Sequence, residues 1–200
     1  MKLYYTPSAC SLVVRIILNE LNLPFNEESV DLKTKKTEKG TDYLTINSKG
    51  AVPALELDTG EVLTENQVIL QYLADMTPGQ KVLASVKDIK RYRTLEWLNY
   101  ISTELHKGFG PLFNPGVPQE VISQQFIPKL KERFAFLDKH LAENTYIMGD
   151  KFSLPDAYLF VMTRWANNFK IDLSNLSHLN KWIELIKTHP SVVKSLQQEQ

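Results

Sequence analysis

One cysteine in 200 residues rules out an internal disulfide, and without a second thiol at ligand spacing it excludes a structural zinc cluster as well. Net charge is also missing. Lys+Arg 23 balance Asp+Glu 23, so no global field draws a polyanion, and no local basic patch stands in for one. Nucleic acid is therefore not an expected partner, and no metal site is expected. No apolar run approaches the roughly 18 residues that a membrane span needs. The first twenty residues interrupt their short apolar runs with Lys2, Arg15 and Glu20, which is not a signal-peptide pattern. Neither a signal peptide nor membrane association is expected, and the lone thiol points to a reducing, cytoplasmic setting. Internal repeats and low-complexity tracts are absent too.

What is present is an ordinary globular composition. With 43% hydrophobic and 23% charged residues, disorder and coiled coil are excluded, and a chain of this length buries roughly 70% of its unfolded surface. The aromatic run KLYYT (Lys2–Thr6) ends at Pro7 and reads as a strand. From Ser11 to Leu23, Leu12, Val13, Ile16, Ile17 and Leu21 recur at helical spacing, and Pro24 closes the segment. Phe25–Leu32 reads as a second strand, the lysine-rich Lys33–Gly40 as a connection, and Asp42–Ile46 as a helical turn. Val52–Leu57 and Glu61–Leu63 flank Asp58-Thr59-Gly60 as a hairpin. Thr64 is a suitable N-cap for a helix that carries Val68, Ile69, Tyr72 and Leu73 and stops before Pro78. The order is βαβ, then ββα.

Past Pro78-Gly79, helical periodicities take over, at Val86–Phe109, Val121–Ala142, Ser153–Asn167 and Leu179–Lys187. Ser153-Leu154-Pro155-Asp156 is a Ser-x-x-Asp form of the capping box. The expected organisation is an α/β domain over 1–77, a linker over 78–86 and an all-α domain over 87–200.

Several residues have the type and position for chemistry. Cys10 lies where a strand gives way to a helix, and free N–H groups with the helix dipole favour a thiolate there. Ser8, Ser11 and the Pro7 turn suggest an exposed segment rather than a packed one. Val52-Pro53 opens a strand, where a cis X–Pro bond turns backbone N–H and C=O toward a bound peptide. Glu65 and Asn66 sit at a second helix start, a ready site for a carboxylate. Further on, Asn99, Thr103 and His106 are spaced by four and three, a polar stripe flanked by Glu104 and Lys107.

Over the full chain the sequence resembles the cytosolic glutathione S-transferases, the bacterial beta class above all. The segments that carry the likeness are YYTPSACSL within Lys2–Leu12, DYLTINSKGAVPALELDTGEVLTEN (Asp42–Asn66), EWLNYISTELHKGF (Glu96–Phe109) and FSLPDAYLF (Phe152–Phe160). Ser8 stands where that class often has glycine, and Ser-x-Cys-Ser with Val-Arg-Ile is also similar to the zeta class of maleylacetoacetate isomerases. The resemblance implies a thioredoxin-like N-terminal domain, an all-helical C-terminal domain and a homodimer. It implies a catalytic pair, Cys10 facing the glutathione sulfur and His106. It places Val52 on the cysteinyl part of glutathione, Glu65 and Asn66 on the γ-glutamyl end, and Lys35 on the glycine carboxylate, with Asn99, Thr103 and Glu104 completing the site.

The expected activity is conjugation of glutathione, a co-substrate rather than a cofactor, to small hydrophobic electrophiles. Detoxification is the implied role, and Phe109, Pro111, Leu112, Phe113 and Trp165 are the apolar candidates for the electrophile. Thiol–disulfide exchange or peroxide reduction through a Cys10–glutathione mixed disulfide, or a zeta-like isomerisation, is the alternative. A non-catalytic binding protein is a third reading, disfavoured because a scaffold needs none of Cys10, Glu65 and His106.

Overall fold

The protein is described by a computed structural model over residues 1–79 and 81–199. It divides into two compact units, Met1–Lys81 with His189–Gln200, and Val82–Thr188.

The first unit is built on β1 (Lys2–Tyr5), the central strand of a five-stranded sheet. Helix α1 (Leu12–Glu20) crosses to β2 (Asn26–Asp31), which pairs parallel with β1, as a crossover of that length permits. Residues Leu12 to Asn19 are all buried, because α1 packs against β1 and against helices on its other sides. A two-residue β3 (Lys36–Thr37) adds antiparallel to β2. On the other flank, β4 (Ala54–Glu56) runs antiparallel to β1 with Leu3 opposite Leu55, and β5 (Val62–Thr64) completes a hairpin. Gly60, at φ +85°, supplies the left-handed residue of that turn. The sheet order is β3-β2-β1-β4-β5, and α2 (Asn66–Met76) follows it. A mixed sheet in βαβ-then-ββα order is the thioredoxin-like arrangement.

Two sequence expectations need correction here. The lysine-rich connection contains β3, because the Asp31 carboxylate accepts the N–H groups of Lys33 and Thr34 and folds the chain back onto β2. Thr64 is the last residue of β5 and not a cap; Glu65 occupies the N-cap position with φ 71°.

The second unit is helical. Asp88 caps α3 (Ile89–Tyr100) by accepting from Lys90 N–H, so the helix starts three residues later than Val86. The long periodic stretch to Phe109 is not one α-helix: Ile101–His106 is π-helical before α4 (Lys107–Phe113) resumes. The same happens at Ile122–Phe126, between α5 (Gln119–Val121) and α6 (Ile127–Leu141). A π segment inserts a residue without changing composition, so a periodicity count reads through it. Helix α7 (Leu154–Asn168) opens with the expected capping box, and α8 (Ser177–Lys187) follows.

A last helix, α9 (Pro190–Gln197), was not anticipated, and it belongs to the first unit. Its Ser195 Oγ and the following Gln198 Oε1 accept hydrogen bonds from the Asn19 amide of α1 at 2.8 and 2.7 Å, and Val192 is fully buried. The expected all-helical domain of 87–200 therefore gives its C-terminal helix to the sheet-containing unit. Val82 and Leu83, within the expected linker, are buried, and residue 80 lies outside the described residues.

Candidate functional site

In the first unit the candidate residues converge on the start of α1. After Tyr5 the chain turns through Ser8, which has φ 61°, and Ser11 Oγ donates to the Thr6 carbonyl. Cys10 follows that turn directly. Its side chain is buried, only 8% exposed, and its S–H donates to the Val52 carbonyl at 3.2 Å. Burial pushes the Cys10 thiol up to about 11; a hydrogen bond from Asn66 and its own backbone act the other way, and Glu65 adds to the rise. The expectation of an exposed, readily ionised thiol is thus corrected: loss of water outweighs what the helix start supplies. Ser11, also expected to be exposed, is buried.

Val52-Pro53 is a cis peptide bond. The preceding carbonyl, that of Ala51, accepts from Tyr43 Oη at 2.8 Å and Asn47 Nδ2 at 2.7 Å, so the segment is fixed by side chains that sequence reasoning passed over. Asn66 opens α2 at 6% exposure, and its Oδ1 has no hydrogen-bond partner among the described residues. Glu65 is exposed and paired with Lys49 at 2.6 Å, while Lys49 also donates to Thr64 Oγ1 at 2.8 Å. Lys49 was not singled out from the sequence, although it lies in the SKGAVP stretch beside Val52. Lys35, at φ 56°, donates its ammonium to the neutral Gly50 carbonyl at 2.7 Å, and among the described residues no carboxylate pairs with it.

In the second unit the polar stripe divides. Thr103 Oγ1 donates to the Asn99 carbonyl at 3.0 Å, and both residues are exposed. Glu104 turns to α6 and pairs with Arg133 at 2.6 Å. His106 turns to α7, with Nδ1 2.5 Å from Tyr158 Oη and its ring edge-on to Trp165 at 5.0 Å. The common face expected from α-helical spacing is lost because Ile101–His106 is π-helical. Phe109 and Trp165 are buried and in edge contact at 5.6 Å, so they are core, whereas Phe113 is exposed and meets Trp165 at 4.8 Å.

Among the described residues no group of three or more His, Cys, Asp or Glu is placed to hold a metal, and no helix is long and apolar enough to cross a membrane. Chemically, the first unit offers a thiol beside an open peptide edge and a helix start flanked by a carboxylate. That is a set suited to a small thiol peptide with charged ends.

Known proteins share both units. The family profile described as glutathione S-transferase, N-terminal domain, matches residues 7–76, and that of the C-terminal domain matches residues 100–190. Glutathione S-transferase GstA of Escherichia coli O157:H7 is 45% identical, over 100% of this chain and 98% of its own. The bacterial beta class glutathione S-transferase of Sphingomonas chungbukensis is 41% identical with a TM-score of 0.95, covering 100% of this chain and 98% of its own. A sphingomonad glutathione S-transferase complexed with glutathione has 40% identity and a TM-score of 0.95, with the same coverage.

Proposed function

The chain belongs to the glutathione S-transferase family, and we propose that it conjugates glutathione to small hydrophobic electrophiles with the peptide held along Val52. The observation that best supports this reading is the backbone of Val52 itself. Its N–H makes no hydrogen bond among the described residues, and its carbonyl lies 3.2 Å from the Cys10 sulfur. An extended cysteinyl residue pairing there brings its own sulfur to Cys10.

The charged ends of glutathione then meet groups suited to them. The γ-glutamyl ammonium pairs with Glu65, and its carboxylate takes the N–H groups of Asn66 and Gln67, which have no intrahelical acceptor at the start of α2. Lys35 takes the glycine carboxylate. The protein acts as a homodimer. In the reaction the glutathione sulfur gives up its proton to solvent and attacks the electrophile. The new carbon–sulfur bond forms as the electrophile's leaving group departs with the electron pair, or, in an addition, as the pair moves to the acceptor atom. A Cys10 thiol with so raised a pKa is a poor nucleophile at neutral pH, which favours glutathione as the attacking group. Cytoplasmic detoxification suits such a reaction.

Thiol–disulfide exchange through a Cys10–glutathione mixed disulfide is a second reading, favoured by the placing of the only thiol at the Val52 edge. Calorimetry with glutathione and turnover of 1-chloro-2,4-dinitrobenzene test the first reading. Saturable, glutathione-dependent release of chloride is expected, and the absence of both binding and turnover overturns it.

A further inference from the structure

Val52 offers a bound peptide two backbone groups, and one of them is already engaged. Its N–H has no acceptor among the described residues, while its carbonyl receives the Cys10 S–H at 3.2 Å. The neighbouring Ala51 carbonyl accepts from both Tyr43 and Asn47, so the segment is held while the Val52 N–H stays open. Beside the thiol, Asn66 is 94% buried, yet its Oδ1 has no partner among the described residues. A buried polar atom left unpaired is costly, and such an atom marks a place that a ligand completes.

From this geometry we propose that ligand occupancy arms Cys10: the peptide N–H of a bound γ-glutamyl-cysteinyl ligand takes the Val52 carbonyl, and the thiol, displaced from its acceptor, ionises more readily in the occupied site than in the free one. The proposal rests on the glutathione-binding reading given above. A hydrogen bond donated by a thiol favours its neutral form, and S–H is a weak donor beside a peptide N–H, so the exchange runs in the ligand's favour. The groups that bear on the sulfur come from three elements. Asn66 and Glu65 face it from α2, the Cys10 backbone from the start of α1, and the Val52 carbonyl from the segment before β4. Of these, Glu65 opposes ionisation, and a ligand ammonium paired with Glu65 neutralises that effect. The Asn66 amide continues to favour the thiolate, and its free Oδ1 accepts a ligand N–H. Occupancy also adds burial, which acts the other way, but burial is already the largest influence in the free protein.

Because Cys10 is the only cysteine, [3-13C]cysteine labels one site. Its Cβ shift is followed against pH in the free protein and in the protein saturated with γ-glutamyl-α-aminobutyryl-glycine, in which a methyl group replaces the glutathione thiol. The midpoint is expected near 11 in the free protein and lower by about one unit or more in the loaded one. A bound peptide that leaves the midpoint unchanged, or raises it, overturns the arming while leaving the binding site standing. Failure of the peptide to bind by calorimetry overturns both. The same peptide methylated at its γ-glutamyl amide nitrogen, loaded to equal occupancy, is expected to give no comparable fall; an equal fall removes the Val52 carbonyl as the cause.

Discussion

The indole Nε1 of Trp182 donates to the Asp156 carboxylate at 3.1 Å, tying α8 to the first turn of α7. Asp156 is fully buried and also accepts from Ile147 N–H, Ser153 N–H and Ser153 Oγ, at 2.9, 2.9 and 2.6 Å. Asp156→Ala strands those four donors in the core and is expected to cost about 3–5 kcal/mol, from the lost cap and the unpaired donors together. Chemical denaturation checks this, and a loss below about 1 kcal/mol would make the cluster incidental.

The same residue sets a pH dependence. Burial raises the Asp156 carboxyl to about 6 from the usual 3.8, against the pull of its donors. The native state therefore holds the proton more tightly than the unfolded chain, and the stability this contributes is full below about 4 and lost as pH rises through 6. Thermal melts of the protein and of Asp156→Asn between pH 4 and 7 should differ in slope, with only the parent losing stability across that window for this reason. A relative gain with rising pH would mean that the four donors outweigh burial.

Arg15 carries a different buried charge. Its guanidinium meets Glu27 at 2.6 Å and Glu199 at 3.6 Å and lies over the Tyr5 ring at 4.4 Å. Glu199 Oε1 in turn accepts the Ser8 N–H at 3.0 Å, so the chain's last turn is linked to the loop before Cys10. Arg15→Ala leaves buried carboxylate uncompensated and should destabilise by about 3–5 kcal/mol. Arg15→Met, which refills the volume, should recover part of that, and equal losses in the two variants would assign the cost to the lost charge alone.

Glu65→Ala should weaken glutathione binding about ten- to a hundredfold, the worth of one charge-assisted hydrogen bond of roughly 1.5–3 kcal/mol. Its ion pair with Lys49 is exposed at both ends, so the melting temperature should hardly move. An unchanged dissociation constant by calorimetry would remove Glu65 from the site.

Much of this was legible in the sequence, for physical reasons that also mark where it stopped. Local signals carried the strands, α1, the hairpin and the Ser153–Asp156 cap, because each depends on residues close in the chain. Strand β3 escaped because its only identity is its pairing with Val30 and Asp31. Helix α9 joins the first unit through Asn19, 176 residues from Ser195, a contact that no local pattern encodes. Cys10 was placed correctly at a helix start, but its burial depends on Val52 and Asn66, and that reversed the expected ionisation. The Asn99–His106 stripe failed for a geometric reason, the π segment that turns Glu104 toward α6 and His106 toward α7.

For His106 the contact with Tyr158 offers a discriminating test. If His106 acts in the reaction, His106→Ala lowers kcat for conjugation by about a hundredfold, the low end of the range for a positioned acid–base group, while Tyr158→Phe changes the pH profile of the rate. Should His106→Ala instead lower only the melting temperature, with turnover per folded molecule intact, the residue is a packing partner of Tyr158 and Trp165.

Cys10 separates the two chemistries open to this protein. In conjugation the nucleophile is the glutathione sulfur, which needs a bound peptide and nearby donors but no covalent bond to the chain. In exchange the protein sulfur attacks the mixed disulfide, a new sulfur–sulfur bond forms, and the substrate thiolate leaves; a second glutathione then displaces Cys10. Cys10→Ala deletes only the second route, and it also frees the Val52 carbonyl of its thiol donor. The variant is therefore expected to bind glutathione at least as well as the parent and to keep conjugating 1-chloro-2,4-dinitrobenzene, while reduction of a glutathione mixed disulfide disappears. Parallel assays on one preparation, with calorimetry to fix the bound fraction, decide the matter. Loss of both activities with binding intact would make Cys10 essential to conjugation, and persistence of both would reduce it to a neighbour of the site.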